Sequence, residues 1–146
     1  MKAVILGIGN RMRGDDAVGS LVVDELAGIR GLEVIDVRTA PENYIEPVSR
    51  LEPKKVLIVD ACNFGGRPGE FRLFNPEEID RLAGGIVSTH TLPLSMTIAL
   101  LEKNLKAEIR VLGVQPASIE FDAGLSEPVA KVVPGLVSFI RQWAGV

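Results

Sequence analysis

Two adjacent carboxylates, Asp15 and Asp16, close a glycine-bearing stretch, Gly7-Ile8-Gly9-Asn10-Arg11-Met12-Arg13-Gly14, that follows the apolar run Ala3-Val4-Ile5-Leu6. A third acid, Asp60, comes directly after Val56-Leu57-Ile58-Val59, and the only histidine, His90, sits in Ser88-Thr89-His90-Thr91-Leu92-Pro93. Oxygen and imidazole donors together suit nickel, zinc or another borderline divalent ion, and so small a set leaves coordination positions open to a substrate. Two anion-binding readings of the glycine stretch fail. A dinucleotide fingerprint needs a third glycine where Met12 stands, and a P-loop needs lysine and a hydroxyl residue where Asp15 and Asp16 stand. Unit charges about 4 Å apart interact by roughly 1 to 4 kcal/mol in wet or surface surroundings, so the two acids would repel a polyphosphate. No nucleotide cofactor is expected.

Each residue also has a plain structural role to weigh. Asp15 reads as the N-cap of the helix that follows, and Asp16 gains from the helix dipole by roughly 0.3 to 1 kcal/mol. Asp60 is harder to explain that way, because a carboxylate directly after an apolar strand must emerge into a crevice or bear a desolvation cost. His90 reads as a hydrogen-bonded loop residue unless the acids join it. Cys62 allows a cysteine nucleophile with His90 as base, although most free cysteines are small apolar fillers.

The elements that must position these groups follow from the hydrophobic pattern. Ala3–Leu6, Leu32–Val37, Val56–Val59 and Ile109–Val114 are apolar enough to be strands inside a sheet, with Asp36 near the end of the second. Glu70–Phe74 alternates polar and apolar residues, the mark of an antiparallel edge strand after Gly66-Arg67-Pro68-Gly69. Helices are expected from Val18 to about Gly28, from Pro41 to Leu51, from Asn75-Pro76 to Gly84-Gly85, and from Leu94 to Leu105 with Met96, Ile98, Ala99 and Leu101 on its apolar face. The last helix starts at Ser126, and Pro134-Gly135 should kink or break it. Strands alternating with helices predict a three-layer α/β/α fold, a mostly parallel twisted sheet of about five strands with one antiparallel edge. In such a sheet the carboxyl ends of neighbouring strands lie side by side, which would bring Asp16 and Asp60 to one crevice with His90 as a possible third member.

Composition bounds the remaining classes. The 146 residues, 47% of them hydrophobic, suffice for one buried core, and a single domain spanning 1–146 is expected. A net charge of -3 without any basic block argues against nucleic acid. One cysteine excludes an internal disulfide and a cysteine-rich zinc site. The longest apolar stretch, Leu92–Leu101, is too short for a membrane span and no leader pattern follows Met1, so a cytoplasmic protein without membrane insertion is expected.

Several spaced motifs then agree in order across nearly the whole chain. G-I-G-N with Asp15-Asp16 after four intervening residues, the strand ending in Asp60 with Gly65 after it, T-H-x-x-P at Thr89–Pro93, and G-x-Q-P at Gly113–Pro116 with Leu125-Ser126 resemble the hydrogenase maturation endopeptidases. The Gly14-Asp15-Asp16 opening and Ala40-Pro41-Glu42-Asn43 are most similar to the branch serving formate-hydrogenlyase-type hydrogenases. The resemblance implies a protease that removes a C-terminal extension from the nickel-loaded precursor of a nickel-iron hydrogenase large subunit. It implies that Asp16, Asp60 and His90 are catalytic and metal-binding residues that recognise nickel carried in by that partner, and that Asn10, Asp15 and Asp36 support the site or touch substrate. Many relatives follow the residue matching Asp36 with two glycines and a threonine, whereas here Val37-Arg38 precede Thr39. A non-catalytic nickel-sensing chaperone for the same precursor is the alternative from another class, and only a protease would shorten the precursor.

Overall fold

The computed structural model describes residues 3–81 and 93–146. Among these residues five strands, β1 (Ala3–Ile8), β2 (Leu32–Arg38), β3 (Lys55–Ala61), β4 (Phe71–Phe74) and β5 (Glu108–Val114), form one sheet in the order β2-β1-β3-β5-β4. The pairs β1–β2, β1–β3 and β3–β5 are parallel, and β4 runs antiparallel to β5 at the edge, as its alternating sequence predicts. Every residue of β1 is buried, which suits a central parallel strand covered on both faces. The chain leaves β1 towards one side for β2 and then returns to the other for β3. Their carboxyl ends therefore flank a topological switch point, where α/β sheets open a crevice.

Among the described residues five α-helices cover the sheet: α1 (Val18–Leu26), α2 (Ile45–Arg50), α3 (Pro76–Arg81), α4 (Leu94–Asn104) and α5 (Glu127–Ala144). Strand alternation sorts the core into two clusters. Ile5, Leu57, Val59, Leu112 and Val114 meet α1 and α5, whereas Val4, Leu6, Val56, Ile58 and Val111 meet α2, α3 and α4. Fully burying one such aliphatic side chain contributes about 1.5 to 3 kcal/mol. The Asn75-Pro76 helix start forms as a reciprocal cap: the Glu78 amide donates to Asn75 Oδ1 at 2.8 Å, and the Asn75 amide donates to Glu78 Oε1 at 3.0 Å. Among the described residues no helix is long and apolar enough to cross a membrane.

Two helix expectations are corrected. On α4 the buried stripe is Leu94, Thr97, Ile98 and Leu101, while Met96 is 52% exposed and Ala99 is also exposed. The i, i+3, i+4, i+7 spacing counts from Leu94, which puts Met96 and Ala99 on the solvent side. The last helix, α5, is not broken at Pro134-Gly135 but runs from Glu127 to Ala144. Pro134 and Ala130 are both exposed, so the Ala130 carbonyl deprived of its helical donor can be hydrated.

Candidate functional site

The glycines of the first loop let a helix press onto strand ends. A Cβ on Gly19, in the first turn of α1, would overlap the carbonyl oxygens of Ile8 and Val59, and one on Gly7 would overlap the Gly19 carbonyl. One on Gly9 would come within 2.7 Å of the Asp16 carbonyl. The G-x-G spacing thus serves backbone approach, with α1 seated across the ends of β1 and β3. The loop between is tied by its own backbone: the Asn10 amide donates to the Asp16 carbonyl at 3.1 Å, and the Asp16 amide donates to the Arg13 carbonyl at 3.0 Å. Asn10 shapes this loop by accepting the Met12 amide on Oδ1 at 2.9 Å.

This framework buries Asp16 in a single 3-10 turn, Gly14–Ala17, ahead of α1, and buries Asp60 near the end of β3. Both charges are felt by one side chain. Cys62 is 1% exposed, and its thiol is pushed well above the ordinary cysteine range, first by burial and then by the negative charges of Asp60 and Asp16. Its Sγ–H also points to the Asp60 carbonyl at 3.6 Å. Two acids separated by forty-four positions are thus both buried at the carboxyl ends of β1 and β3, where α1 is seated on the Ile8 and Val59 carbonyls. Burial and the raised pKa make the Cys62 thiol a poor nucleophile by itself, and the base that the sequence offers for it, His90, lies outside the described residues.

The neighbouring acids are turned elsewhere. Asp15 is not the helix N-cap: that position is Ala17, which makes no side-chain cap. Instead its fully buried carboxylate accepts the amides of Ala117 at 2.8 Å, Ser118 at 3.1 Å and Ser126 at 2.7 Å, together with the Ser126 hydroxyl at 2.7 Å. A carboxylate meeting four donors at once satisfies them better by bridging two segments than by capping its own helix. Asp36 lies on the other flank, in register with Gly7. It accepts Ser20 Oγ–H at 2.7 Å and the Arg38 amide at 3.0 Å on Oδ1, and Arg11 on Oδ2 at 3.0 Å. Partial burial pushes its carboxyl up, but the donors from Ser20, Arg11 and Arg38 outweigh this and hold it below the usual range. Arg11 also grips Asp24 through two nitrogens, at 2.7 and 2.8 Å, which raises its own pKa further. Asp36 is thereby engaged with the loop and α1.

His90 lies outside the described residues, and no group of three or more His, Cys, Asp or Glu that could hold a metal occurs among those that are described. Helix α4 begins at Leu94 and leads to β5, which runs parallel to β3, so its N-terminus lies at the sheet edge where Asp60 emerges. Its buried stripe packs on the same sheet face as Cys62. Ser20, which holds Asp36, has no signal in the sequence, whereas Gln115, 7% exposed, accepts on Oε1 the amides of Phe64 at 2.9 Å and Gly66 at 3.0 Å. The G-x-Q-P motif marked Gln115 without revealing its partners.

Comparison with known proteins bears on this arrangement. The HycI family model, described as hydrogenase maturation protease, matches residues 21–143. The chain is 34% identical to the hydrogenase 3 maturation protease of Escherichia coli K12, covering 99% of this chain and 92% of that protein. It is 36% identical to a putative hydrogenase maturation protease of Methanocaldococcus jannaschii, covering 97% of this chain and 89% of the relative. The crystal structure of a hydrogenase maturation protease, HycI, from Thermococcus kodakarensis superposes with a TM-score of 0.84 at 32% identity, over 99% of this chain and 93% of that one. The profile, the near full-length identities and the shared fold agree, and the chain belongs to the hydrogenase maturation protease family, a family of peptide hydrolases.

Proposed function

We propose that this protein cleaves the C-terminal extension from the nickel-loaded precursor of a nickel-iron hydrogenase large subunit, recognising the bound nickel through Asp16, Asp60 and His90. What supports this reading is the burial of Asp16 and Asp60 at the carboxyl ends of β1 and β3, across which α1 is seated. Two carboxylates at one end of the sheet offer oxygen donors to an ion delivered by the substrate. Adding an imidazole makes a mixed oxygen and nitrogen set that a borderline ion accepts alongside the precursor's own thiolates.

In this reading nickel is cargo, and its role is to fix the precursor so that the scissile peptide lies beside the carboxylates. Water adds to the peptide carbonyl carbon, the C–N bond breaks, and the extension leaves with a new amino terminus. The nickel or one of the two carboxylates takes the role of activating that water. Asp15, Asp36 and Asn10 shape the loop that carries Asp16.

The test is cleavage of nickel-loaded and nickel-free precursor by wild type, Asp16→Ala, Asp60→Ala and His90→Ala, followed by mass measurement. Processing of the loaded form alone is expected, with each variant slower by roughly 10- to 100-fold or more. Undiminished processing by all three folded variants would overturn the reading. A precursor that is bound but never shortened would favour a chaperone instead.

A further inference from the structure

The two most exposed large apolar side chains among the described residues are Phe121, at 66%, and Met12, at 61%. Met12 belongs to the loop after β1 and Phe121 to the segment after β5, and the two stretches are joined: the Asp122 amide donates to the Met12 carbonyl at 2.9 Å. Arg13, next to Met12, lays its guanidinium over the Phe121 ring, 5.2 Å from the centroid, and donates from Nε to the Ile119 carbonyl at 3.3 Å. Phe121 is thus held in place and still left in water. Isolated exposed apolar residues are ordinary, but two on adjoining, fixed loops form the kind of patch that meets another protein. An aromatic ring already held loses little freedom on association, and a methionine adapts to the surface it meets.

Backbone bonds place this patch beside Asp16. The Asp16 amide closes a turn on the Arg13 carbonyl, which keeps the two Cα atoms within about 7 Å. Met12 lies one Cα step of about 3.8 Å further on. In the sheet β3, which carries Asp60, lies between β1 and β5, so the junction of the loops that follow those two strands stands at the end where β3 finishes. A standard interface buries about 800 Å² on each partner, a disc of roughly 16 Å radius. A folded precursor that brings its metal to Asp16 therefore covers ground that includes Met12 and the segment bonded to it.

We propose that Met12 and Phe121 form a docking surface for an apolar patch of the precursor beside its nickel site, and that the affinity they supply does not depend on the metal. The inference rests on the cleavage reaction proposed above.

The experiment measures kcat and KM on nickel-loaded precursor, and the dissociation constant of nickel-free precursor, for wild type, Met12→Ser, Phe121→Ser and the double variant. Val146→Ser, exposed beside Gly31 at the opposite end of the sheet, is the control. In the double variant KM should rise roughly 10-fold or more with kcat unchanged, the mark of lost uniform binding, and the nickel-free complex should weaken by the same factor. The control should match wild type. Both side chains are mostly in water, so the variants should keep the wild-type circular dichroism spectrum. Unaltered KM and affinity in the folded double variant overturn the docking surface alone, and lost self-association in sedimentation would then assign the patch to a second copy of this chain. A loss confined to the nickel-loaded form also overturns it, because carbon surface does not sense the metal. A wild type that binds precursor without shortening it overturns the cleavage reading, and the dissociation constants then decide the docking surface. A wild type that neither shortens nor binds nickel-loaded precursor overturns both.

Discussion

Asp15 and Ser126 stand 111 positions apart, yet the Asp15 carboxylate takes both the backbone amide and the hydroxyl of Ser126 at 2.7 Å. The same carboxylate holds Ala117 and Ser118, and the Asp15 amide donates to the Ser118 carbonyl at 2.9 Å. One buried acid thus joins the loop bearing Asp16 to the segment after β5 and to the start of α5.

Removing that acid should loosen both segments. Asp15→Ala leaves four donors without their acceptor, and a buried unsatisfied donor costs about 1 to 3 kcal/mol. Allowing for water reaching some of them, a loss of about 3 kcal/mol in urea unfolding is expected. Asp15→Asn, which keeps one acceptor oxygen, should lose less. Wild-type stability in Asp15→Ala would show that these bonds are not formed in solution.

The contrast with what is legible in sequence is instructive at this residue. Local pattern exposes what local physics sets: the apolar runs of β1 and β3, the alternation of β4, and the Asn75-Pro76 helix start all appear where the residues predict them. Asp60 at the end of β3 and Asp16 before α1 could be placed at one sheet edge from strand order alone. The partners of Asp15 could not, because hydrogen bonds across more than a hundred residues leave no periodicity. The partners of Gln115 were hidden for the same reason. On α5, Pro134 signalled a kink or break, because sequence does not show that Ala130 and Pro134 both lie on the exposed side of a continuous helix.

Acid stability should report the Arg11–Asp36 contact. The folded-state pKa of Asp36 is depressed, so its contribution is present above the unfolded value of about 3.9 and is lost as pH falls below that towards the folded value. Asp24, also lowered by Arg11, acts in the same direction. Arg11→Ala should therefore lower stability at pH 6 and lessen the further loss between pH 4 and lower values. Parallel stability curves for wild type and variant over that window would contradict the assignment.

Cys62 should behave as packing. Its raised pKa and burial predict slow alkylation of the native protein by iodoacetamide at pH 7.5, and the modification should not track loss of processing. Cys62→Ala should still cleave precursor, with a stability loss of about 1 to 2 kcal/mol for the small cavity beside Gly113. A dead but folded Cys62→Ala would restore the nucleophile.

The most direct measurement is a double-mutant cycle on binding to nickel-loaded precursor, with Asp16→Ala, Asp60→Ala and the double variant, repeated on nickel-free precursor. If both carboxylates act on one metal, the double variant should lose much less than the sum of the single losses, and the nickel-free complex should be nearly indifferent to either change. Additive losses, or equal losses with and without nickel, would mean that the two acids do not share a metal.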